Sequence, residues 1–188
     1  HGYYVFTLNE YPSLIRGGHN VVTVRIATEK FFSLERSLDI LVALNKETVE
    51  LHKSEFSKHT VIVFDPHDYD WKAEELASGV ALIRVPFREL VEKHAGESVM
   101  RNTVALGTSM AILGVPFEFL AEVICDQFTK KGEEVVTNNI DIARAGYDSV
   151  QGELGNLTSV RIDPGEKKED YLLVNGSEAV GIGAVLHG

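Results

Sequence analysis

Five short apolar runs alternate with amphipathic stretches along this chain, and the alternation sets the expected architecture. Tyr4 to Thr7 and Val21 to Ala27 are β-branched and aromatic runs that predict strands. Leu38 to Leu44 (LDILVAL) and Thr60 to Phe64 (TVIVF) are continuously apolar, as strands covered on both faces of a sheet are, and Ala81 to Val85 is a fifth candidate. Helical periodicity predicts helices at Lys46 to Phe56, Phe87 to His94, Val99 to Leu113, Phe117 to Phe128 and Glu133 to Glu153. Strand and helix in alternation read as an α/β fold with a mainly parallel central sheet flanked by helices. The first two strands stand apart, because no helical pattern separates them and their connection admits an antiparallel pairing.

Two further features refine this outline. Ala105, Gly107, Ser109 and Ala111 give the Val99 to Leu113 helix a run of small residues, which predicts close packing on a neighbour; Gly114-Val115-Pro116 then stops it, and a new helix starts at Phe117. From Gly155 the composition changes: residues 155 to 170 combine Gly, Pro, Asn and charge and read as a linker. Tyr171 to Val174, followed by Asn175-Gly176 and the apolar Ala179 to Leu186, reads as the first strand and helix of a second domain, too small to bury an apolar face alone.

Composition narrows the function classes. The chain has 188 residues, 44% hydrophobic and 24% charged, enough apolar content to build a core. No apolar stretch approaches the roughly 18 to 20 residues of a membrane span, and the N-terminus has no basic region followed by an apolar one, so a cytoplasmic protein is expected. The single cysteine, Cys125, cannot form an intramolecular disulfide, a cysteine-ligated iron–sulfur cluster or a thiolate zinc site from this chain alone, and its apolar helical setting predicts an inert thiol. A net charge of −10 argues against nucleic-acid binding. The excess is uneven: residues 1 to 60 carry seven basic and seven acidic side chains, whereas the remainder carries eleven and twenty-one, so a phosphate-bearing ligand is repelled least by the first third.

Candidate chemistry concentrates there. In Ser13-Leu14-Ile15-Arg16-Gly17-Gly18-His19-Asn20 the paired glycines can expose consecutive N–H donors while Arg16 and Ser13 add a cation and a hydroxyl, a combination that suits a phosphate; a plain turn built on the glycines is the competing reading. His19 is a further donor or a solvated loop histidine. Asn45-Lys46 sits where a strand hands over to a helix, the ligand edge of an α/β sheet, and reads either as an anion site or as a structural cap with its neighbouring lysine in solvent. Asp65-Pro66-His67-Asp68-Tyr69-Asp70 offers metal-capable side chains, yet without a second cluster at ligand spacing a turn leading to a capped helix is the expectation. Arg101-Asn102 faces either a partner or the core. No catalytic triad, P-loop or metal site is legible.

Several segments in register carry a resemblance. YVFT, EYPSLIRGGHN, VRIA, DILVALNKETV, RNTVALG, KKGEEVV and ARAGYD are similar, in this order, to the gamma domain of 2-oxoacid:ferredoxin oxidoreductases, in the form fused to the front of the alpha subunit in two-subunit enzymes of the 2-oxoglutarate type. The resemblance implies a gamma domain at 1–154 that lacks the family's first glycine-rich strand and helix, a linker at 155–170, and at 171–188 the start of the alpha domain that binds the thiamine pyrimidine. It implies a component of an enzyme that oxidatively decarboxylates a 2-oxoacid with coenzyme A to an acyl-CoA. Thiamine diphosphate with magnesium and the iron–sulfur cluster are then expected on other parts of the complex, with the remaining alpha domains and the beta subunit as partners and ferredoxin as acceptor. Carried onto this chain, Ser13 to Asn20 becomes the coenzyme A pyrophosphate contact. The glutamate that activates thiamine is expected beyond Gly188 rather than at Glu178. The alternative is a purely structural domain of the same complex with no ligand contact.

Overall fold

The computed structural model describes residues 2–11, 18–76, 79–94, 96–154, 161–162 and 172–187. They fall into two compact units, Arg36–Asp163 and a second made of His1–Glu35 with Pro164–Gly188.

The second unit opens with β1 (Tyr4–Glu10) and β2 (Val21–Ala27), paired antiparallel from Tyr4 opposite Ala27 to Glu10 opposite Val21. These two strands form a sheet of their own rather than joining the parallel one. Their antiparallel pairing follows from the connection: parallel neighbours need a crossover of about a dozen residues or more, usually a helix, and residues 11 to 20 are too few.

Arg36–Asp163 holds the parallel sheet. β3 (Leu38–Ala43), β4 (Phe56–Phe64) and β5 (Ala81–Arg84) lie in that order, β4 in the middle. After β3 comes α1 (Lys46–His52), and a 3-10 turn at Lys53–Glu55 then leads into β4. The helix expected to run to Phe56 therefore stops earlier, and the strand begins earlier than Thr60. Buried Thr60 explains the start of β4: its hydroxyl donates to Leu38 O at 2.6 Å and accepts from Ser57 N–H at 2.8 Å. It thereby closes the register shift in which Leu38 faces Phe56 but Ile40 already faces Val61.

The continuous apolar run of β4 follows from burial on both sides. Val61 and Val63 join Ile83, Val85, Val104, Ile112 and Ile142 in one core, while Ile62 and Phe64 join Leu41, Ala43, Val49 and Trp71 in another. Burying each such Val, Ile or Phe side chain contributes about 1.5–3 kcal/mol. The first core is supplied by α2 (Phe87–Lys93), α3 (Arg101–Leu113) and α5 (Glu133–Ser149); α4 (Phe117–Phe128) adds Phe117, Leu120 and Ile124 against Ala143 of α5. Cys125 is half-buried on α4.

The small residues of α3 do what their spacing predicts. A Cβ on Gly107 would lie 1.9 Å from Ala143 O, and one on Gly146 would lie 2.2 Å from Val104 O, so the α3 and α5 backbones meet at two reciprocal glycines. The Thr108 hydroxyl, fully buried beside this contact, donates to Val104 O and Gly146 O at 3.0 and 3.1 Å. Gly114, at φ +73°, ends α3 in the left-handed conformation, with Val115 N–H donating to Met110 O at 3.0 Å. Tyr147 OH donates to Val115 O at 3.1 Å and its ring meets Phe117 edge-on at 5.4 Å, fixing the α3–α4 corner to α5.

The C-terminal segment departs from expectation. Leu172 to Val174 form no strand, and Tyr171 lies outside the described residues. A strand exists only by pairing, and these residues have no partner strand among the described ones. The helix, α6 (Gly176–His187), starts before Ala179 because Asn175 and Glu178 cap it reciprocally: Asn175 N–H donates to Glu178 Oε2 at 2.8 Å and Glu178 N–H to Asn175 Oδ1 at 2.9 Å. Of the expected linker, only Arg161 and Ile162 are described, with Ile162 N–H donating to Leu113 O at 2.8 Å.

Because backbone atoms fill the space beside both glycines, Gly107→Ala and Gly146→Ala should each destabilise the protein by at least about 1–3 kcal/mol. At roughly 2–4 °C per kcal/mol for a chain of this size, calorimetry should show each melting several degrees lower. An unchanged melting temperature in either variant contradicts the close crossing.

Candidate functional site

The carboxyl ends of β3, β4 and β5 form the edge at which α/β sheets place their ligands. Asn45 leaves β3 in an extended conformation, φ −157° and ψ 166°, and its Oδ1 accepts from both Thr48 N–H and Thr48 Oγ1 at 2.9 Å. It is the cap of α1. Lys46 extends its ammonium to Glu50 Oε1 at 3.2 Å and over the Tyr69 ring at 4.4 Å, so it lies along the protein surface with about half of its side chain still in solvent.

The loop after β4 supplies the rest of the edge. Buried Asp65 accepts at one carboxylate oxygen from His67 N–H, 3.0 Å, and at the other from Arg88 N–H, 2.9 Å, which ties the end of β4 to the first turn of α2. Asp68 takes a guanidinium on each oxygen, Arg88 at 2.9 Å and Arg101 at 3.0 Å. Asp70 accepts from Arg84 Nε at 2.7 Å and from the Lys72 ammonium. His67 Nε2 lies 2.7 Å from Glu89 Oε1. The aspartates read as metal-capable are thus bound to cations and backbone amides, and the segment leads through Lys72, whose N–H donates to Glu75 Oε2, into a capped 3-10 turn. Among the described residues no three His, Cys, Asp or Glu side chains converge as metal ligands. Arg101 faces this loop, which answers where the start of α3 points.

Charge follows the geometry. Hydrogen bonds from Lys72 and Arg84 hold the Asp70 carboxyl below the ordinary aspartate range. The Tyr69 hydroxyl, which donates to Glu75 Oε1 at 2.7 Å, lowers the Glu75 carboxyl, and the same bond raises the tyrosine. Trp71, buried beneath, meets Tyr69 edge-on at 4.6 Å and carries the Lys53 ammonium 4.7 Å above its ring. The cleft between Asn45, Lys46, Asp65, Asp68, Tyr69 and Trp71 leaves no room even for a water-sized solute. Small-molecule sites occupy about 300–1,000 Å³, so this edge is closed by its own side chains.

The other candidates sit in the other unit. Gly18, at φ +94°, and His19 and Asn20 lead into β2; Ser13, Arg16 and Gly17 lie outside the described residues. The structure therefore brings Asn45 and Lys46 together at the sheet edge and places Gly18 to Asn20 in the hairpin unit. What the sequence reading missed is the lattice of Asp65, Asp68 and Asp70 with Arg84, Arg88 and Arg101. Its signal was present in the D-x-x-D-x-D spacing, although the arginines that answer it come from three later elements.

The family model for pyruvate ferredoxin/flavodoxin oxidoreductase matches residues 1–149. The chain belongs to this family. Among relatives, it is 24% identical to the 2-oxoacid:ferredoxin oxidoreductase 2 subunit alpha of Aeropyrum pernix, covering all of this chain and 35% of that protein. It is equally 24% identical to the 2-oxoacid:ferredoxin oxidoreductase subunit alpha of a Sulfolobus species, covering 34% of it. The chain spans about a third of the length of these curated relatives. A solved structure of the 2-oxoglutarate:ferredoxin oxidoreductase of Magnetococcus marinus, with 2-oxoglutarate, coenzyme A and succinyl-CoA bound, matches at TM-score 0.88 and 28% identity over the whole chain and 32% of that one. The keto/oxoacid ferredoxin oxidoreductase gamma subunit of Geobacter sulfurreducens shares the fold at TM-score 0.65 and 18% identity, over 80% of this chain and 82% of that one.

Asp70 makes the edge sensitive to acid. Its folded pKa lies below the unfolded value, so its contribution is present above the ordinary aspartate value of about 3.9 and is lost as pH falls through the lowered one. Asp70→Asn should melt below the wild type by a constant margin at neutral pH. That margin should close as the pH is taken down from about 4. A margin that does not vary with pH removes the ionic role.

Proposed function

We propose that this chain is the coenzyme A-associated part of a 2-oxoacid:ferredoxin oxidoreductase. The enzyme would convert a 2-oxoacid and coenzyme A to an acyl-CoA and carbon dioxide, passing two electrons to ferredoxin. The observation that carries this reading is the whole-chain match to the Magnetococcus marinus enzyme, which holds coenzyme A and succinyl-CoA, together with membership of the family. In this reading residues 1–154 are the gamma domain and 171–188 open the alpha domain. Thiamine diphosphate supplies the decarboxylation chemistry when bound, and the iron–sulfur cluster the route for electrons. A single cysteine cannot ligate the cluster without residues from elsewhere, and in this reading the cluster and the thiamine diphosphate with its magnesium are held by other parts of the complex. The cytoplasm, ferredoxin and the beta subunit complete the proposal. No helix among the described residues is long and apolar enough to cross a membrane.

The contact to coenzyme A is assigned to Ser13, Arg16, Gly17, Gly18, His19 and Asn20. The paired glycines can present N–H groups to the pyrophosphate, and Arg16 can place two N–H donors on its oxygens. Asn45 and Lys46 are the weaker members of the proposed set, since Asn45 is spent on Thr48 and Lys46 on Glu50 and Tyr69.

Loss of one charge-assisted contact costs about 1.5–3 kcal/mol, so Arg16→Ala should raise the KM for coenzyme A about 10- to 100-fold in the assembled enzyme while leaving that for the 2-oxoacid nearly unchanged. A change within about twofold returns the loop to a structural role. The chain purified alone should contain no iron and reduce no dye with a 2-oxoacid; stoichiometric iron, or such activity, overturns the division of labour.

A further inference from the structure

The core on the Ile62 side of the parallel sheet contains two readily oxidised side chains, and they touch. Trp71, the chain's only tryptophan, is 2% exposed and packs among Leu41, Ile62 and Phe64, whose aliphatic and phenyl groups resist oxidation. Tyr69 lies half-buried at the rim of the same core, its ring edge-on to the indole at a centroid separation of 4.6 Å. Its hydroxyl donates to the carboxylate of exposed Glu75, 2.7 Å away. Indole, phenol and carboxylate therefore follow one another from the interior to the surface.

Charge gives this series a direction. The hydrogen bond from Tyr69, with the Lys72 N–H on the other oxygen, holds the Glu75 carboxyl below its ordinary range, so at neutral pH it is ionised and able to take a proton. The Lys53 ammonium lies 4.7 Å from the centre of the indole and the Lys46 ammonium 4.4 Å from that of the phenol. A cation is attracted to the face of a neutral ring and repelled by an oxidised, positively charged one, so a positive charge left on Trp71 is disfavoured. Tyr69 avoids that penalty. When it gives up a proton to Glu75 together with an electron, the ring beneath Lys46 stays neutral.

We propose that Trp71, Tyr69 and Glu75 form a discharge relay that carries a one-electron oxidation out of the buried core to the surface. A strong one-electron oxidant, such as a radical derived from peroxide, takes an electron from Trp71 and is itself reduced, leaving the indole radical cation. Tyr69 returns an electron to Trp71 while its O–H bond breaks and the proton moves to Glu75 Oε1. The products are an intact indole, a neutral phenoxyl and a carboxylic acid. A solution reductant such as ascorbate then supplies one electron to Tyr69, and Glu75 gives the proton back. The relay goes beyond the coenzyme A reading and holds or fails without it.

Flash photolysis of the full chain is the test. Light absorbed by indole and not by phenol ejects an electron from Trp71, a cobalt(III) complex traps that electron, and transient absorption follows the indolyl and phenoxyl radicals, with the fold of each variant checked by circular dichroism. In the wild type the indolyl signal should decay as the phenoxyl signal rises. Tyr69→Phe keeps the ring and should leave the indolyl radical without a matching phenoxyl rise, whereas Tyr147→Phe should behave as wild type. Glu75→Gln still offers Tyr69 an acceptor oxygen but cannot take the proton, and it should slow the handover at least about tenfold, a positioned base being worth about 10²–10⁴-fold. After repeated flashes with ascorbate present, peptide mass spectrometry should find Trp71 intact in the wild type and converted to oxidised products in Tyr69→Phe. Equal loss of Trp71 in the two proteins, an undiminished phenoxyl rise in Tyr69→Phe, or a handover in Glu75→Gln as fast as in the wild type overturns the relay.

Discussion

The close crossing of α3 and α5 is the constraint on which the parallel-sheet unit depends. Two helix backbones are held at a separation only glycine permits, and each glycine sits against a carbonyl of the opposite helix. That proximity lets one threonine hydroxyl reach carbonyls of both helices and lets Val104 and Ile142 reach the sheet from neighbouring helices. Dispersion falls steeply with distance, so a small separation of these helices would loosen the whole apolar layer above β4 and β5. The same crossing sets the height of α3 and thereby the reach of Arg101, which starts that helix and ends on Asp68.

The sheet edge is organised by charge in a way that favours rigidity over binding. Three aspartates within six residues would repel one another if left alone. Each instead holds the loop to a later element: Asp65 to α2, Asp68 to α2 and α3 together, Asp70 to β5 through Arg84. Being partly exposed, the individual ion pairs are worth little in stability. Their effect lies in orientation, since Asp65 spends both carboxylate oxygens on backbone N–H groups and so fixes the path of the chain.

How much of this could be read from the sequence depended on whether the deciding partner was local. The apolar runs of β3 and β4 were legible because burial on both faces leaves an unbroken hydrophobic signature, and the Gly114 stop was legible because one residue's φ decides it. The small residues of α3 announced a close neighbour, though nothing local named α5 or Gly146 as that neighbour. The start of β4 was hidden, since the Thr60 bridge to Leu38 spans 22 residues, and Phe56 to Thr60 by themselves suit a helix end. The strand expected at Tyr171 to Val174 erred the other way: Leu172 to Val174 have a strand-like composition but find no strand to pair with among the described residues. For the site, Asn45 was readable as a cap, whereas the orientation of Arg101 was not, its partner lying 33 residues upstream. Ser13, Arg16 and Gly17 lie outside the described residues, so their candidacy still stands on the chemistry of their side chains and on the resemblance alone.

Trp71 is the chain's only tryptophan, and it is buried under the edge loop with Tyr69 at its rim and the Lys53 ammonium over its ring. An indole in that position is a built-in optical gauge. Its emission reports whether the loop after β4 is seated, and it is blind to melting confined to the hairpin unit, which contains no indole. Tryptophan-emission unfolding curves of this protein therefore describe the parallel-sheet unit, and fraying of β1, β2 or α6 has to be followed by another signal, such as amide exchange.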